Sequence, residues 1–556
     1  MKFKFLTLIF IAIFVSCKRN EPQNKAAIID NKSNINIDNQ STKKNLIEDK
    51  QIIEPITKIS KVSKTKLKPI ENHRNKIEIE EEEGEGKLSK YDRIKESLED
   101  EIKRTKDPAT GIVPKGVFAE ALAFTQRKQM EFYGNSEIRG ASLANAKWKE
   151  RGPTNVGGRV GTILVDKNDP TNKTLFVGHC SGGLWKTTDI TAARPIWKPV
   201  NDYLQNLAIG GIVQDPTDPK IMYLGTGDPS ADDVKGIGIF KSTDGGVNWQ
   251  LLSSTNNASF DKTREIVIAN DGSIYAACRS GVQKSTNGGT SWTRVLDNEI
   301  WDLAYISSTN TIFASKINSI WKSTLGNANT WTNITNPTNT GFPSNWSRTE
   351  FAISLTDPDI IYAVGNQGSA NTVIMKTTDG GLSWKATGLN AGVLTGSQAW
   401  YDLDIAVDPT NSKIVYAGGL DLHRTLDGGN SWKRVSEWSP KSSDTYVHAD
   451  QHYIYYEPNN GNVCYFGNDG GIFACRNAAF SGQPNIEDKN TGYNTTLFYY
   501  GAIHPDKYSN YFLGGAQDNG SNQINSYSPG EANEVTSGDG FWVHIDQTKP
   551  NYQFTT

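Results

Sequence analysis

A short hairpin motif recurs along most of the chain and ends each time in a tryptophan. Its clearest copies are STDGGVNW (242–249), STNGGTSW (285–292), TTDGGLSW (377–384) and TLDGGNSW (425–432). With two weaker copies, the closing residues are Trp197, Trp249, Trp292, Trp331, Trp384 and Trp432. A repeat of about 40 to 50 residues is typical of the four-stranded blades of a β-propeller, which bury their apolar faces only by stacking on one another. The repeat therefore predicts an all-β propeller.

The residues of the motif have separate structural roles. The aspartate can accept backbone N–H bonds within its own turn, glycine supplies positive φ, and tryptophan covers the hairpin. Counted by their first strands, eight blades begin near Gly158, Ala208, Arg264, Trp301, Glu350, Tyr401, His448 and Gly501. A ninth opens at 538–546 and is incomplete at Thr556. We expect seven or eight blades over 147–556, or the first part of a larger or double propeller.

The N-terminal region has the pattern of an export signal followed by a tether. Residues 1–16 have a basic start and an apolar core, as secretory signal peptides do, and a cysteine, Cys17, follows directly. This pattern resembles a bacterial lipoprotein signal and predicts lipidation of Cys17. Residues 17–90 are rich in Asn, Lys, Ile and Glu, which predicts a disordered tether, and 91–146 have a helical period.

Composition excludes two broad classes of protein. The net charge of −3 argues against binding nucleic acid through bulk charge. Past the first 20 residues no apolar run is long enough to cross a bilayer. The cysteines outside the signal fit no zinc-binding spacing, and we expect free, buried thiols, although Cys464 and Cys475 could face each other on one hairpin.

The SxDxGxxW element resembles the Asp-box (BNR) repeat of sialidases, sortilin-type receptors and xyloglucanase-type endoglucanases. GHCSGGLWKTTD, VHADQHYIYYEP, YFGNDGGIF and GGAQDNGS are also similar to segments of exported, sortilin-like propellers of Bacteroidota. The resemblance covers about 91–556 and implies the fold, export and a structural role for the box itself. The usual F/Y-R-x-P setting of the first sialidase arginine is missing, which argues against a sialidase.

Xyloglucanase-type enzymes invert the anomeric centre with two aspartates, and the resemblance puts one of them in an R-T-D-I-G-G segment of the first blade. The matching stretch here, GHCSGG, contains no carboxylate. That departure weighs against the same mechanism in this chain. The carboxylates that remain as substitutes are Asp228, Asp450, Asp469, Asp518 and Asp539.

Propeller topology sorts the loops between two faces. If the repeat hairpins lie at the bottom, the loops between second and third strands and the starts of first strands lie at the top, where ligand sites usually form. The ligand-binding candidates on this top face are Arg159, His179, Asp228, Asp232, Tyr401, His448, Asp450, Asp469 and Asp518. Aromatic candidates for stacking on sugar rings are Trp400, Tyr401, Tyr446 and Trp542.

His448, Asp450 and His452 alternate in VHADQH. On a regular strand all three would point to one side, so two of them could share a metal ion. The alternative is a buried, hydrogen-bonded polar network that closes the ring. We expect no organic cofactor, although a structural cation would be compatible with the acidic loops.

The sequence thus predicts an exported lipoprotein of the outer membrane or cell surface that binds a glycan or a surface protein through its top face. The membrane would be contacted only through the lipid, and nucleic acid is not expected as a partner. Two alternatives stay open: an inverting, xyloglucanase-like glycoside hydrolase acting on polysaccharide, and a structural component of a surface or secretion complex.

Overall fold

The structure is a computed structural model. It describes residues 103, 106–111, 120, 121, 123, 124, 127 and 150–556, except 231–233, 368–370, 390–391, 397 and 526–529. Residues 103, 120, 121, 123, 124 and 127 are helical. The predicted signal peptide, the lipidation site Cys17 and the tether lie outside the described residues, as does most of the predicted helical segment. No helix in the described part of the chain is long and apolar enough to cross a membrane.

Eight four-stranded antiparallel sheets follow one another from residue 160, and each is built from four consecutive strands. The first four sheets contain β1 (Val160–Val165), β2 (Leu175–His179), β3 (Gly183–Thr187), β4 (Trp197–Pro199); β5 (Ile209–Gln214), β6 (Met222–Thr226), β7 (Ile239–Ser242), β8 (Gln250–Leu251); β9 (Thr263–Ile268), β10 (Ile274–Cys278), β11 (Gly281–Ser285), β12 (Thr293–Asp297); β13 (Leu303–Ile306), β14 (Thr311–Lys316), β15 (Ser319–Ser323) and β16 (Thr332–Asn333).

The next three sheets contain β17 (Trp346–Ile353), β18 (Ile361–Gln367), β19 (Asn371–Thr377), β20 (Lys385–Ala386); β21 (Asp404–Val407), β22 (Val415–Gly418), β23 (Leu422–Thr425), β24 (Lys433–Arg434); β25 (Gln451–Tyr456), β26 (Cys464–Asn468), β27 (Gly471–Cys475) and β28 (Ile486–Asp488). The eighth sheet and a final hairpin contain β29 (Phe498–Ile503), β30 (Phe512–Ala516), β31 (Ser521–Ile524), β32 (Asn533–Thr536), β33 (Val543–Ile545) and β34 (Gln553–Thr555). Short helical turns lie at Ser253–Thr255, Ala258–Phe260 and Pro337–Thr340.

The first seven sheets close into a ring. Each packs on the next, and β1 of the first sheet packs against β25 and β26 of the seventh. A hydrophobic cluster fills each junction between neighbouring sheets, and the cluster at the closure joins Val160 and Val177 to Tyr465 and Ile472. The predicted propeller is confirmed, with seven blades in the ring.

The eighth sheet lies outside this ring. Its strands β29 and β30 pack on β33, and a separate small cluster joins Leu513 to Val543 and Ile545. The segment before the first blade holds this sheet in place: the Thr154 N–H donates to the Gly530 carbonyl, and Asn155 exchanges two hydrogen bonds with the backbone of Ala532. The ninth unit expected at 538–546 is the two-stranded hairpin of β33 and β34.

Glycines allow the first strands of neighbouring blades to converge around the central channel. A Cβ added to Gly161 on β1 would lie 2.6 Å from the Ile209 carbonyl, and one on Gly210 would lie 2.1 Å from the Thr263 carbonyl. Both distances are below any normal contact, so a larger residue at either position would push adjacent blades apart.

The repeat hairpins form the bottom face of the ring. Oδ1 of Asp244, Asp379 and Asp427 accepts a hydrogen bond from the Ser or Thr hydroxyl two residues earlier and from a backbone N–H four residues later. The glycine after each aspartate donates to the turn between the first and second strands of the same blade. The hairpins therefore share one face with those turns, as the topology predicts.

The four described cysteines are buried thiols that form no disulfide bond with one another: Cys180, Cys278, Cys464 and Cys475. Cys464 and Cys475 are direct partners across β26 and β27.

Candidate functional site

The mouth of the ring, on the face opposite the hairpins, contains a buried polar network that we call the mouth network. It consists of Arg159, Asp228, Tyr401, His452 and Asp469. The Asp469 carboxylate accepts from Arg159 Nε (3.0 Å), from the Tyr401 hydroxyl (2.6 Å) and from His452 Nε2 (2.8 Å). Arg159 Nη1 also contacts Asp228 at 3.3 Å. The network thus joins blades one, two, six and seven, because each of these side chains comes from a different loop or strand end.

The electrostatics of the network favour an ionised core. Burial alone would lower the pKa of Arg159, but the carboxylates of Asp469 and Asp228 help to raise it well above its ordinary value. The guanidinium also lies 5.0 Å from the centre of the Tyr401 ring. Burial raises the pKa of Tyr401 well above its usual range despite Arg159, so its hydroxyl stays a hydrogen-bond donor.

His179 lies beside this network and is fully buried. Burial and then the Arg159 charge lower its pKa to about 3, so the imidazole is neutral at neutral pH. Its Nδ1 accepts the backbone N–H groups of Ser181 (3.0 Å) and Gly182 (2.6 Å). His179 therefore orders the loop between β2 and β3.

Three aspartates next to the mouth network form what we call the carboxylate cluster. One carboxylate oxygen from each of Asp450, Asp469 and Asp518 lies within 4.8 Å of those from the other two. Asp450 and Asp469 are buried, whereas Asp518 is half-buried. Gln398 Nε2 donates to Asp450 at 2.9 Å, and the Asp518 backbone N–H donates to Asp539 Oδ1 at 3.0 Å. Three carboxylates at this separation suit either general acid–base chemistry or a hard cation with oxygen ligands.

The expected alignment of His448, Asp450 and His452 on one strand is wrong. Strand β25 begins only at Gln451, its pairing shifts register between Gln451 and Tyr453, and Asp450 adopts a left-handed φ of 64°. His448 instead directs Nε2 to the carbonyl of Asp518 at 2.9 Å. The three side chains therefore do not form the expected metal-binding set, and Asp450 joins Asp469 and Asp518 in its place.

The structure also sorts the remaining candidates. Tyr401 is fully buried, with its ring against Arg159 and His452, and offers no free face to a sugar. Trp400 and Tyr446 are half-buried, whereas Trp542 is 60% exposed and stacks on Tyr500 with ring centres 3.6 Å apart. Asp232 lies outside the described residues. Gln398, which fixes Asp450, has no sequence signal that would have singled it out.

A second acidic group, missed by sequence reasoning, lies in the central channel. A cavity of roughly 60 Å³ there is lined by Gly161, Pro229, Ser230, Arg264, Glu265, Trp301, Asp302, Arg348, Glu350, Leu403, Asp404, His452 and Tyr453. Burial and the neighbouring Glu350 raise the pKa of Asp302 to about 7 and that of Asp404 well above its ordinary value. Burial, Asp302 and Asp404 likewise raise the pKa of Glu265. His452 connects the channel to the mouth, since it lines the cavity and binds Asp469.

Comparison with known proteins places the chain among propellers similar to xyloglucanases. It is 24% identical over 320 residues to the xyloglucanase Xgh74A of Acetivibrio thermocellus, a match that covers 49% of this chain and 33% of that protein. It is 31% identical over 130 residues to a xyloglucanase of Hypocrea jecorina, covering 21% and 15%. No family model matches. The chain thus spans about a third or less of the length of these curated relatives.

Solved structures support the fold. An ancestral GH74 enzyme superposes with a TM-score of 0.54 at 18% identity, covering 72% of this chain and 58% of that one. The GH74 xyloglucanase of Xanthomonas campestris gives 0.53 at 16% identity, covering 74% and 65%. At these identities the likeness establishes a β-propeller similar to xyloglucanases in fold, and the chemistry has to be argued from the site.

Proposed function

We propose that this propeller is a glycoside hydrolase that acts on a polysaccharide at the mouth of its ring. The observation that carries the proposal is the carboxylate cluster, which lies at the mouth of a fold similar to that of xyloglucanases. The comparisons favour this alternative over glycan or protein binding alone, the main expectation from the sequence. Glycosidic hydrolysis needs a pair of carboxyl groups, one to protonate the leaving oxygen and one to act on the sugar or on water.

The three aspartates have different environments and therefore suit different roles. Asp469 is held by Arg159, Tyr401 and His452, so we assign it to electrostatic stabilisation of positive charge that develops on the sugar. Asp518 is the most exposed of the three, so we assign it as the carboxyl group that contacts the substrate. Asp450, which accepts a hydrogen bond from Gln398, is assigned as the second carboxyl group of the pair.

The spacing of the cluster favours retention of configuration over the inversion expected from the resemblance. Inverting pairs stand roughly 6.5–9.5 Å apart to admit a water molecule, whereas retaining pairs stand about 5–5.5 Å apart. One carboxylate oxygen from each aspartate of this cluster lies within 4.8 Å of those from the other two, which is nearer to the retaining spacing. The first-blade loop at 179–183 supplies His179 and no carboxylate, so a pair spanning blades one and seven is not available from that loop.

The second candidate function is glycan binding without hydrolysis. It is favoured by how completely Asp469 is engaged, because a carboxylate with three donors is a poor proton carrier. In this case the mouth network is a rigid frame, and the half-buried Asp518 and the exposed Trp542 contribute to the recognition surface. For either function we propose that the chain works outside the cytoplasm as a lipoprotein anchored through Cys17.

The test is release of reducing ends from xyloglucan and other β-glucans by the purified full chain, with NMR of the first-formed anomer. We expect the wild type to release sugars with retained configuration, and D518N and D450N to lose at least a hundredfold in rate while still binding the polymer. D444N, at an exposed carboxylate close by in the sequence, is the matched control and should keep full activity. Binding without release supports the second candidate, and neither binding nor release contradicts both.

A further inference from the structure

Three carboxylates in the described part of the central channel form no ion pair with a basic side chain. Glu265, Asp302 and Asp404 come from blades three, four and six and line one cavity. Among the described residues no ion pair joins any of them to Lys, Arg or His. The two arginines of the cavity are already engaged: Arg264 with Glu299 at 2.8 Å and Arg348 with Glu350 at 2.7 Å. The channel therefore has more buried acidic groups than its own basic side chains neutralise.

Two buried polar atoms of residues that line the same cavity have no protein partner. The Asp469 carboxylate can only accept a hydrogen bond, so His452 Nε2 carries the proton and donates to it. In the neutral ring, Nδ1 on the opposite side then has a lone pair and can accept a hydrogen bond. That Nδ1 is buried without a hydrogen bond, and the side chain is only 3% exposed. The indole N–H of Trp301 is likewise buried without a partner. A buried acceptor and a buried donor beside one cavity indicate that the cavity contains a polar guest.

The carboxylates themselves restrict what that guest is. Oδ1 of Asp302 accepts the backbone N–H of Leu303, and Oδ2 accepts the backbone N–H of Phe351 in the next blade. Asp404 is held in the same way by Ile405 and by Ile454 of the seventh blade. Burial and Glu350 raise the pKa of Asp302 and Asp404, whereas their backbone donors lower it, so a positive group bound by the remaining lone pairs would favour the ionised form. Within the described residues, the channel side chains do not offer three ligand atoms within 4.8 Å of one another, so a bare ion cannot contact three of them at once.

We propose that the central channel binds a hydrated magnesium ion between Glu265, Asp302 and Asp404. Magnesium gives up its water reluctantly and is usually held by one or two carboxylates through a shell of remaining waters. A cavity of roughly 60 Å³ has room for an ion with several waters. Those waters would donate to His452 Nδ1 and accept from the Trp301 indole. The ion would link the sixth blade to the third and fourth blades across the channel, and the proposal does not depend on the chain being a hydrolase.

The experiment uses the full chain, stripped with EDTA and then passed through gel filtration after incubation with magnesium. Metal analysis should find about one magnesium per chain, and the melting temperature should rise by several degrees over the stripped protein. Calcium in place of magnesium should give a smaller rise, because a larger ion prefers direct ligands. E265Q should retain no magnesium and show no metal-dependent rise, even if loss of the buried charge raises its melting temperature without metal.

The paired variant is D518N, which disrupts the carboxylate cluster and leaves the channel intact. It should bind magnesium as the wild type does. Loss of magnesium in D518N together with its retention in E265Q would place the ion at the mouth and overturn the proposal. So would a chain that contains no metal and melts at the same temperature with and without magnesium. Polysaccharide hydrolysis is measured in the same samples. Hydrolysis without magnesium binding in the channel overturns only this proposal, whereas magnesium binding without hydrolysis contradicts only the proposed function.

Discussion

The two faces of the ring satisfy their polar groups in opposite ways. On the bottom face, Asp244, Asp379 and Asp427 bond within their own hairpins, at most four residues away. At the mouth, Asp469 is bonded by Arg159, 310 residues away, and by Tyr401, 68 residues away. The bottom face is therefore local and repeated, whereas the mouth is non-local and occurs once. Residues at the mouth are not part of the repeated hairpin that forms each blade, so they can differ from one blade to the next.

The sharpest test of this contrast is removal of Arg159. We expect R159M to cost about 3–5 kcal/mol of unfolding free energy, because it leaves Asp228 and Asp469 buried without their cation. Urea denaturation at pH 7 measures the change. R294M, which removes an exposed arginine that pairs with Asp297, is the matched control and should cost little. A loss of under 1 kcal/mol for R159M would mean that the mouth network does not stabilise the ring.

The two faces should also respond to acid in different pH windows. His179 has a pKa of about 3 when folded against an ordinary 6.5, so the unfolded chain takes up a proton that the folded chain excludes. Stability should therefore fall by a few kcal/mol as the pH drops from 6.5 towards 3. H179N, which retains an acceptor for Ser181 and Gly182, should flatten this part of a plot of unfolding free energy against pH. An unchanged slope would contradict a neutral, buried His179.

A smaller effect is expected from Y401F. The change removes only the hydroxyl that donates to Asp469 at 2.6 Å and keeps the ring that packs on Arg159 and His452. A hydrogen bond to a charged group contributes about 1.5–3 kcal/mol. Y305F provides the comparison, because it removes an exposed hydroxyl that donates to Asn310 and accepts the Asn270 N–H. Equal thermal stability of the two variants would mean that the Tyr401 hydroxyl at the mouth contributes no more to stability than a hydroxyl at the surface.

The smallest change is expected at the hairpins. Backbone and side-chain hydrogen bonds lower the pKa of Asp244, Asp379 and Asp427 to about 2. Their contribution is complete above about pH 4 and is lost as the pH falls towards 2. D379N should lower the melting temperature by only a degree or so, because the third blade already has Asn287 in the same hydrogen-bonded position. Acid titration of D379N should show a shallower loss below pH 4 than the wild type.

The sequence predicted the blades well because each carries its own local signals. Predicted first strands lie within a few residues of the observed ones, and the aspartates of the hairpins lie at the bottom, as expected. Topology also brought Arg159, Tyr401 and Asp469 to one face. It failed at His448, Asp450 and His452, because neither the register shift nor the left-handed backbone of Asp450 has a signature in VHADQH.

Two further features were beyond the sequence for different reasons. Closure after seven blades depends on how β1 packs against β25 and β26, whereas the eighth first strand has the same pattern as the others. The channel carboxylates were missed because a single acidic residue in a strand, such as Glu265, usually faces solvent. Only the ring geometry turns the first strands of seven blades inward, so their acidic side chains meet.

Every described sheet is made of consecutive strands, so no strand from one end of the ring is shared with the other. The ring is consequently an open strip of blades whose two ends are joined side by side, and the weakest line under mechanical load should run between the first and the seventh blades. Arg159 and Asp469 are bonded across that line, at the mouth. A ligand bound across the first and seventh blades at the mouth would add contacts across this line and would stabilise the closed ring.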